Sequence, residues 1–358
     1  MILKHEAVTN VFLYSKNRKM LKIDIHTHII PSNLNDVLDN FSNNKYLRIK
    51  SINKDNAELI KDSKFFRKVQ CNCWNIEQRN KDSKISNVDI QVLSTIPALF
   101  SYWAKDDECL QLSKFLNNHI SDIVKNNPNQ YIGLGTIPMQ NNDLAIKEMD
   151  RCINELNLSG VQIGSNINGI NLSEDQFIPI FEHAEKIKCS IFIHPWEMIG
   201  TDQMKKYWFP WLIGMPAETS RAISSIIFGG VLERFPNLKI AFAHGGGSFL
   251  FTLGRIDHGF KVNPKLCSID NNIMPSEYLG KIYVDSLVHD YDTLMFLIKK
   301  IGCSQIALGT DYPFILGEEI PGKLIESLDI SDKDKQRMLA GTALEWLGLD
   351  EKQYIQSK

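Results

Sequence analysis

Eight short runs dominated by Ile, Val and Leu recur along the chain, most of them separated by longer segments with helical periodicity. They cover 21–29 (LKIDIHTHI), 88–96, 131–139, 160–165, 190–195, 239–246, 282–287 and 305–313. Their nearly unbroken apolar character is that of strands covered on both faces, as in a parallel sheet flanked by helices. Eight such strands close a barrel, so the predicted fold is α/β, a (β/α)8 TIM-type barrel with a small insertion after the first strand. Helices are predicted over 105–127, 142–157, 173–188, 216–234, 247–259, 290–302 and 332–347. Ser173 with Gln176 reads as a capping box, and Pro128, Pro236 and Gly348 read as stops.

Segment 31–87 breaks the alternation. It is too long for a βα connection and begins with polar turn formers (SNLNDVLDNFSNNKY), so it is predicted as an insertion over the barrel mouth within one domain spanning 20–358. Residues 1–19 are mildly basic and lack the apolar block of a signal peptide. They are expected to be a disordered extension, the alternative being a mitochondrial presequence against which a single arginine argues.

Charge excludes some partners. With 40 Lys and Arg against 42 Asp and Glu, a formal net charge of −2 and no block of like charge, neither nucleic acid nor a membrane surface is an expected partner. No apolar run approaches the roughly 18 residues needed to span a bilayer. The seven cysteines are odd in number and form no CxxC pair, which suits a reducing, cytoplasmic location. Cys71 and Cys73 read as two small apolar side chains, not as a metal clamp.

The chemistry-bearing residues fall at the carboxyl ends of the runs, the face on which barrel enzymes build their sites. His26 and His28 end the first run, and a spacing of two puts both imidazoles on one face of a strand. His194 ends the fifth run, His244 the sixth and Asp311 the eighth. Each has a plain structural reading when taken alone: rim hydrogen bonding for the His pair, core packing for His194, a turn or cap for Asp311. Together they would bury several uncompensated ionisable groups in one place, which calls for an ion. Three imidazoles and one carboxylate with an open position suit zinc. His119, His183, His258 and His289 lie in or at the starts of predicted helices and read as structural or solvated. Asp24 either orients a ligand or satisfies a buried donor.

HTH after a first strand, single histidines after strands five and six, and Asp after strand eight resemble the amidohydrolase superfamily, a likeness that concerns fold and not reaction. Longer segments, among them FFRKVQCNCWN, HPWEM, KYWFPWLIGMPAET, FAHGGGSFLFTLGRIDHGF and GTDYPFILGE, resemble zinc decarboxylases of that superfamily over about 20–353. The resemblance implies that His26, His28, His194 and Asp311 hold zinc (Zn2+) and that His244 is the acid–base residue. An imidazole outside the inner shell is free to move protons near neutral pH, which agrees with that split. It further implies Arg67 and Lys61 as substrate-side cations and Trp211 and Phe314 as aromatic pocket walls, although Trp211 could equally be ordinary packing. The implied reaction is non-oxidative decarboxylation of a small dicarboxylate, 2-amino-3-carboxymuconate 6-semialdehyde, with no organic cofactor.

Arg255 resembles an arginine lent to the neighbouring subunit's site, which implies a homodimer. It follows the GGG turn by eight residues, so along a helix it would lie roughly 12 Å from the strand end, out of reach of its own site. A surface pair with Asp257 is the plain alternative. The stretch NLNDVLDNFSNNKYLRIKSINKDN is more polar than the family's substrate loop, with Tyr46 standing where a tryptophan is usual. Three functional readings share these residues: the decarboxylase, a metal-dependent hydrolase or a decarboxylase of another carboxylate, and a barrel that binds without catalysis.

Overall fold

A computed structural model describes residues 20–350 and 352–355. The expected N-terminal extension lies outside the described residues. In chain order the strands are β1 (Ile23–Ile29), β2 (Arg48–Asn53), β3 (Asn56–Lys61), β4 (Lys64–Gln70), β5 (Ile90–Thr95), β6 (Tyr131–Gly135), β7 (Gly160–Gly164), a small hairpin of β8 (Asn166–Ile167) and β9 (Ile170–Asn171), β10 (Ser190–His194), β11 (Ile240–Phe242), β12 (Ile282–Asp285) and β13 (Ile306–Ala307). All eight apolar runs supply one strand each to a parallel sheet ordered β1-β5-β6-β7-β10-β11-β12-β13. Two backbone bonds cross from β1 to the chain following β13: Ile25 N–H to the Leu308 carbonyl and His28 N–H to the Tyr312 carbonyl, both 2.8 Å. With the parallel bridge between Thr27 and Tyr312 they bring the sheet to a nearly closed barrel, an α/β (β/α)8 architecture.

The helices pack their apolar stripes on the outside of the strands, and the largest buried cluster is this helix–strand layer. A second cluster gathers Phe192, Leu344 and Trp346 with Ala241 of β11, Ala307 of β13 and Ala343 of the helix Thr342–Leu347, called here the C-terminal helix. Phe192 shares the strand face of His194. Its ring lies 5.1 Å from that of His26 and 5.9 Å from that of Trp346, so the C-terminal helix supports the floor of the site.

Two expected helix details differ. The box of Ser173 and Gln176 does not form, because the helix begins at Ile178 after a 3-10 turn over Asp175–Phe177, with no side-chain cap. The Ser173 N–H is taken instead by the Ser225 hydroxyl at 2.9 Å, and Pro179 presets the first helical turn. The helix predicted over 332–347 is interrupted by a wide turn over Arg337–Gly341, where the Met338 carbonyl accepts the Leu308 N–H at 2.8 Å. Closing the barrel seam takes that carbonyl out of the helix.

The long segment after β1 is ordered. It holds a short helix (Leu34–Leu38), the antiparallel sheet β2-β3-β4, and a helix over Ile76–Ser86 capped by Asn75, whose side chain accepts the Gln78 N–H. Its buried face, with Phe41, Tyr46, Leu59 and Val69, packs in one cluster with Ile96 and Leu99 after β5 and Leu112 and Leu116 of the following helix. Tyr46 packs on Phe41 and Trp103 and donates its hydroxyl to Glu108 at 2.8 Å, so it anchors the base of the insertion. Among the described residues no helix is long and apolar enough to cross a membrane.

Trp346 is fully buried against Phe192. Trp346→Ala should lower the unfolding free energy by about 3–5 kcal/mol, read as a reduced urea midpoint. A change below about 1 kcal/mol would show that the C-terminal helix does not support the barrel floor.

Candidate metal and decarboxylation site

The ends of β1 and β10 and the loop after β13 bring His26, His28, His194 and Asp311 together, with one donor atom from each lying within 4.8 Å of the others. His26 Nε2 is 3.2 Å from His28 Nε2, and Asp311 Oδ1 is 3.4 Å and 3.1 Å from the same two nitrogens. On the far side of each ring Nδ1 has an acceptor: Asp285 Oδ2 at 2.7 Å for His26, the Thr95 carbonyl at 3.0 Å for His28 and the Pro195 carbonyl at 3.0 Å for His194. With Nδ1–H spent on those acceptors, the three Nε2 lone pairs converge.

The His194 nitrogen is decisive. Its Nε2 is buried without a hydrogen-bond partner. Burial, with the charges of His26 and His244, holds the ring's pKa well below the ordinary value, so it stays neutral. A proton can relieve part of the crowding, because although burial opposes it the carboxylates of Asp285 and Asp311 raise His26. A divalent cation would give all four groups a partner at once, and these residues fit one. Burial would raise Asp311, but His28, His26 and His244 outweigh it and hold the carboxyl below the usual range.

His244 stands beside this group, its Nε2 4.0 Å from Asp311 Oδ2. Burial, reinforced by the charge of His26, pushes its pKa down to about 4, so it is a neutral base at physiological pH. It follows β11 in a left-handed backbone conformation (φ 57°), as Asp311 follows β13 (φ 59°). Such strain, of order 1–3 kcal/mol per residue, persists only where the surroundings enforce it. Asp285 enforces it at His244, accepting the N–H groups of His244 and Gly245 at 2.8 Å each. The turn that follows needs glycine, since Gly245 and Gly247 have φ of 61° and 62° and a Cβ there would meet Val288 at 2.4 Å and the Pro216 carbonyl at 2.2 Å.

The mouth above the cluster is lined by Arg67, Phe66, Trp196, Trp211, Phe314 and Met215, together with His28, His194 and Asp311. Arg67, on β4, lies among aromatic faces, its guanidinium 4.7 Å from the Phe314 ring, 5.2 Å from Phe66 and 5.6 Å from Trp211. Burial lowers its pKa against the pull of Asp311. Lys61, on β3, does not line this wall but sits 4.8 Å over the Trp196 ring that does. Arg255 is exposed on the helix Phe249–Val262, outside that lining, and among the described residues it makes no ion pair. Asp257 is engaged elsewhere, accepting the Ser276 N–H at 3.2 Å.

Asp24 accepts the N–H groups of His26 and Thr310, both at 3.1 Å, and the Thr310 hydroxyl at 2.5 Å, stitching β1 to the loop after β13. Burial raises its pKa to about 7. His183 bonds Asp150 at 3.0 Å and His258 is exposed, both away from the cluster. Sequence reasoning missed Asp285, which is fully buried and holds both His26 and the His244 turn. The available signal was an Asp ending the seventh apolar run, at the same rim level as the histidines.

The amidohydrolase family model matches residues 23–349. A 2-amino-3-carboxymuconate-6-semialdehyde decarboxylase of Dictyostelium discoideum is 51% identical, with 94% of each chain covered. The protein of the same name from Caenorhabditis elegans is 33% identical, covering 94% of this chain and 97% of its own. Two solved structures share the fold at lower identity: the apo IDCase of Metarhizium anisopliae (TM-score 0.81, 20% identical, 94% and 99% covered) and a manganese-bound 5-carboxyvanillate decarboxylase of Novosphingobium aromaticivorans (TM-score 0.76, 19% identical, 93% and 97% covered).

Removing a ligand and loosening one should differ in degree. His194→Ala is expected to bind less than a tenth of the wild-type metal by elemental analysis, and Asp285→Asn to weaken affinity about 10–100-fold in chelator competition. Full metal content in His194→Ala would remove that residue from the ligand set. On its matches and its geometry, the chain belongs to the amidohydrolase family and groups there with its decarboxylases.

Proposed function

We propose that the chain is a zinc carboxy-lyase that removes CO2 from 2-amino-3-carboxymuconate 6-semialdehyde, in the kynurenine branch of tryptophan degradation, where it limits quinolinate formation. The observation that carries this reading is Arg67. A half-buried guanidinium without an ion pair among the described residues, set between flat aromatic faces beside a metal-type cluster, fits a carboxylate on a planar conjugated frame. The relatives at 51% and 33% identity, both named for this substrate, support the finer assignment. Three imidazoles and one carboxylate suit zinc, held by His26, His28, His194 and Asp311, although one fold relative carries manganese. Seven free cysteines fit the reducing cytoplasm.

The ion, when bound, supplies Lewis acidity at the floor of the pocket. Arg67 binds a substrate carboxylate, and Phe314 and Trp211 confine the conjugated frame to one plane. Lys61 adds positive charge at the rim. His244, neutral because it is buried, takes a proton from water and delivers it to the carbon that keeps the electron pair of the broken C–C bond, so CO2 leaves and hydrogen replaces it with no external oxidant or reductant. His244→Ala should keep its metal and lose about 10² to 10⁴-fold in turnover, followed as loss of near-ultraviolet substrate absorbance. A lactone and an aromatic carboxylate, assayed in parallel, test the hydrolase and the alternative decarboxylase. Turnover of either with none of the semialdehyde would replace the proposed substrate.

The active form in this reading is a homodimer in which Arg255 enters the partner's site. Phe251, Gly254, Arg255, His258 and Val262 share one exposed face of their helix, with Phe251 58% and Val262 63% exposed, and Leu212 and Ile213 are exposed in the helical turn Pro210–Gly214 that leads into the helix Met215–Phe228. Arg67 and a partner's Arg255 would give a dianion two planar forks. Co-expressing differently tagged Arg255→Ala and His244→Ala chains should restore about a quarter to a half of wild-type activity per mixed dimer, since one site then has its own His244 and a borrowed Arg255. Isolated mixed dimers as inactive as either parent would rule out the shared site.

A further inference from the structure

Arg79 is fully buried, on the insertion helix Ile76–Ser86, and does not line the metal pocket. Nη1 donates to the carbonyls of His28 at 2.7 Å and Asn72 at 3.1 Å, and Nη2 to the Gln91 side-chain oxygen at 2.7 Å and the Thr27 hydroxyl at 3.3 Å. Its guanidinium lies 4.8 Å from the centre of the Tyr312 ring. Among the described residues it makes no ion pair, although nothing else in the insertion is buried as completely with a charge. Burying a guanidinium on neutral acceptors is costly, and an apolar side chain of similar length would fill the same space at less cost. A demand for that exact fork is therefore expected from its contacts.

Those contacts surround the barrel seam at the level of the site. Thr27 and His28 are the end of β1, Tyr312 follows Asp311, and the His28 N–H already bonds the Tyr312 carbonyl at 2.8 Å. Asn72 lies in the turn after β4, the strand that carries Arg67. We propose that Arg79 is a positioning residue: its fork and its stacking on Tyr312 fix the spacing between His28 and Asp311, one ligand from each side of the seam, and tie that spacing to the strand that presents Arg67. Lysine could supply the charge but not a planar fork, so it could not hold the β1 carbonyl and the Gln91 side-chain oxygen together from over the Tyr312 ring. The inference rests on the metal-centre reading given above.

The test uses the full chain as Arg79→Lys and Arg79→Gln, with Gln91→Leu as a variant that removes one acceptor and leaves the arginine in place. Metal affinity is measured by chelator competition, and ligand geometry by the visible absorption of the cobalt(II)-substituted protein. Arg79→Lys is expected to bind metal about tenfold or more weakly, with an altered cobalt spectrum and reduced kcat, and Gln91→Leu to move in the same direction by less. A folded Arg79→Lys protein with wild-type affinity and cobalt spectrum would overturn the proposal, as would losses in all three variants that merely follow their melting temperatures. Wild-type protein that binds no ion at all would instead overturn the metal-centre reading.

Discussion

The constraint on which the rest depends is the crowding of three imidazole nitrogens and a carboxylate within 4.8 Å at one end of the barrel. Lone pairs that close repel one another, and His194 Nε2 has no protein partner to relieve it. The fold therefore spends other interactions to hold the arrangement. Asp285 takes the outer nitrogen of His26 and two backbone N–H groups of the His244 turn, and Asp24 ties β1 to Thr310. Left-handed backbone at His244 and Asp311 aims both side chains inward. A site built this way is stabilised when a cation arrives and is under stress without one, so binding free energy is in part folding free energy.

The same economy explains the seam. β13 is only two residues long, so the ladder between it and β1 is carried by bonds from the chain just beyond it, at Leu308 and Tyr312. A short last strand leaves the Asp311 loop free to turn inward, but it also leaves few ladder bonds where His28 and Asp311 face each other. Asp24 braces the seam from below, while the insertion helix braces it from the side through Arg79.

Legibility in the sequence follows burial. The eight barrel strands could be read because covered strands must be apolar on both faces, and the helices because each shows one apolar stripe to the sheet. The metal-type cluster could be read because its residues end those strands, and HTH fixes two of them to one face. The sheet β2-β3-β4 could not, since it is covered on one side only and its buried positions, Ala57, Leu59 and Val69, are diluted among Lys, Asn and Glu. Asp285 and Arg79 escaped for a related reason. Their roles come from partners distant in sequence, 259 residues apart for Asp285 and His26 and 51 for Arg79 and His28, and no local pattern marks such a meeting. The Ser173 box failed in the opposite way, a correct local signal overruled when Ser225 took the serine N–H.

On the proposed reaction, the position of Arg67 also constrains which carboxylate leaves. Decarboxylation drains negative charge out of the departing group and into the conjugated frame, so a cation clamped on that group stabilises the ground state more than the transition state and slows the step. A cation is useful where charge persists or grows. Arg67, desolvated among Phe66, Trp211 and Phe314, binds strongly any carboxylate it meets and is therefore best matched to the one that stays. The departing group then points toward the floor, where His244 can deliver the replacing proton and where Asp311 stands only 4.0 Å from that imidazole. A clamp at the rim and a proton-delivering imidazole at the floor thus act on opposite ends of one molecule, an arrangement suited to a substrate that carries two carboxylates on one rigid frame.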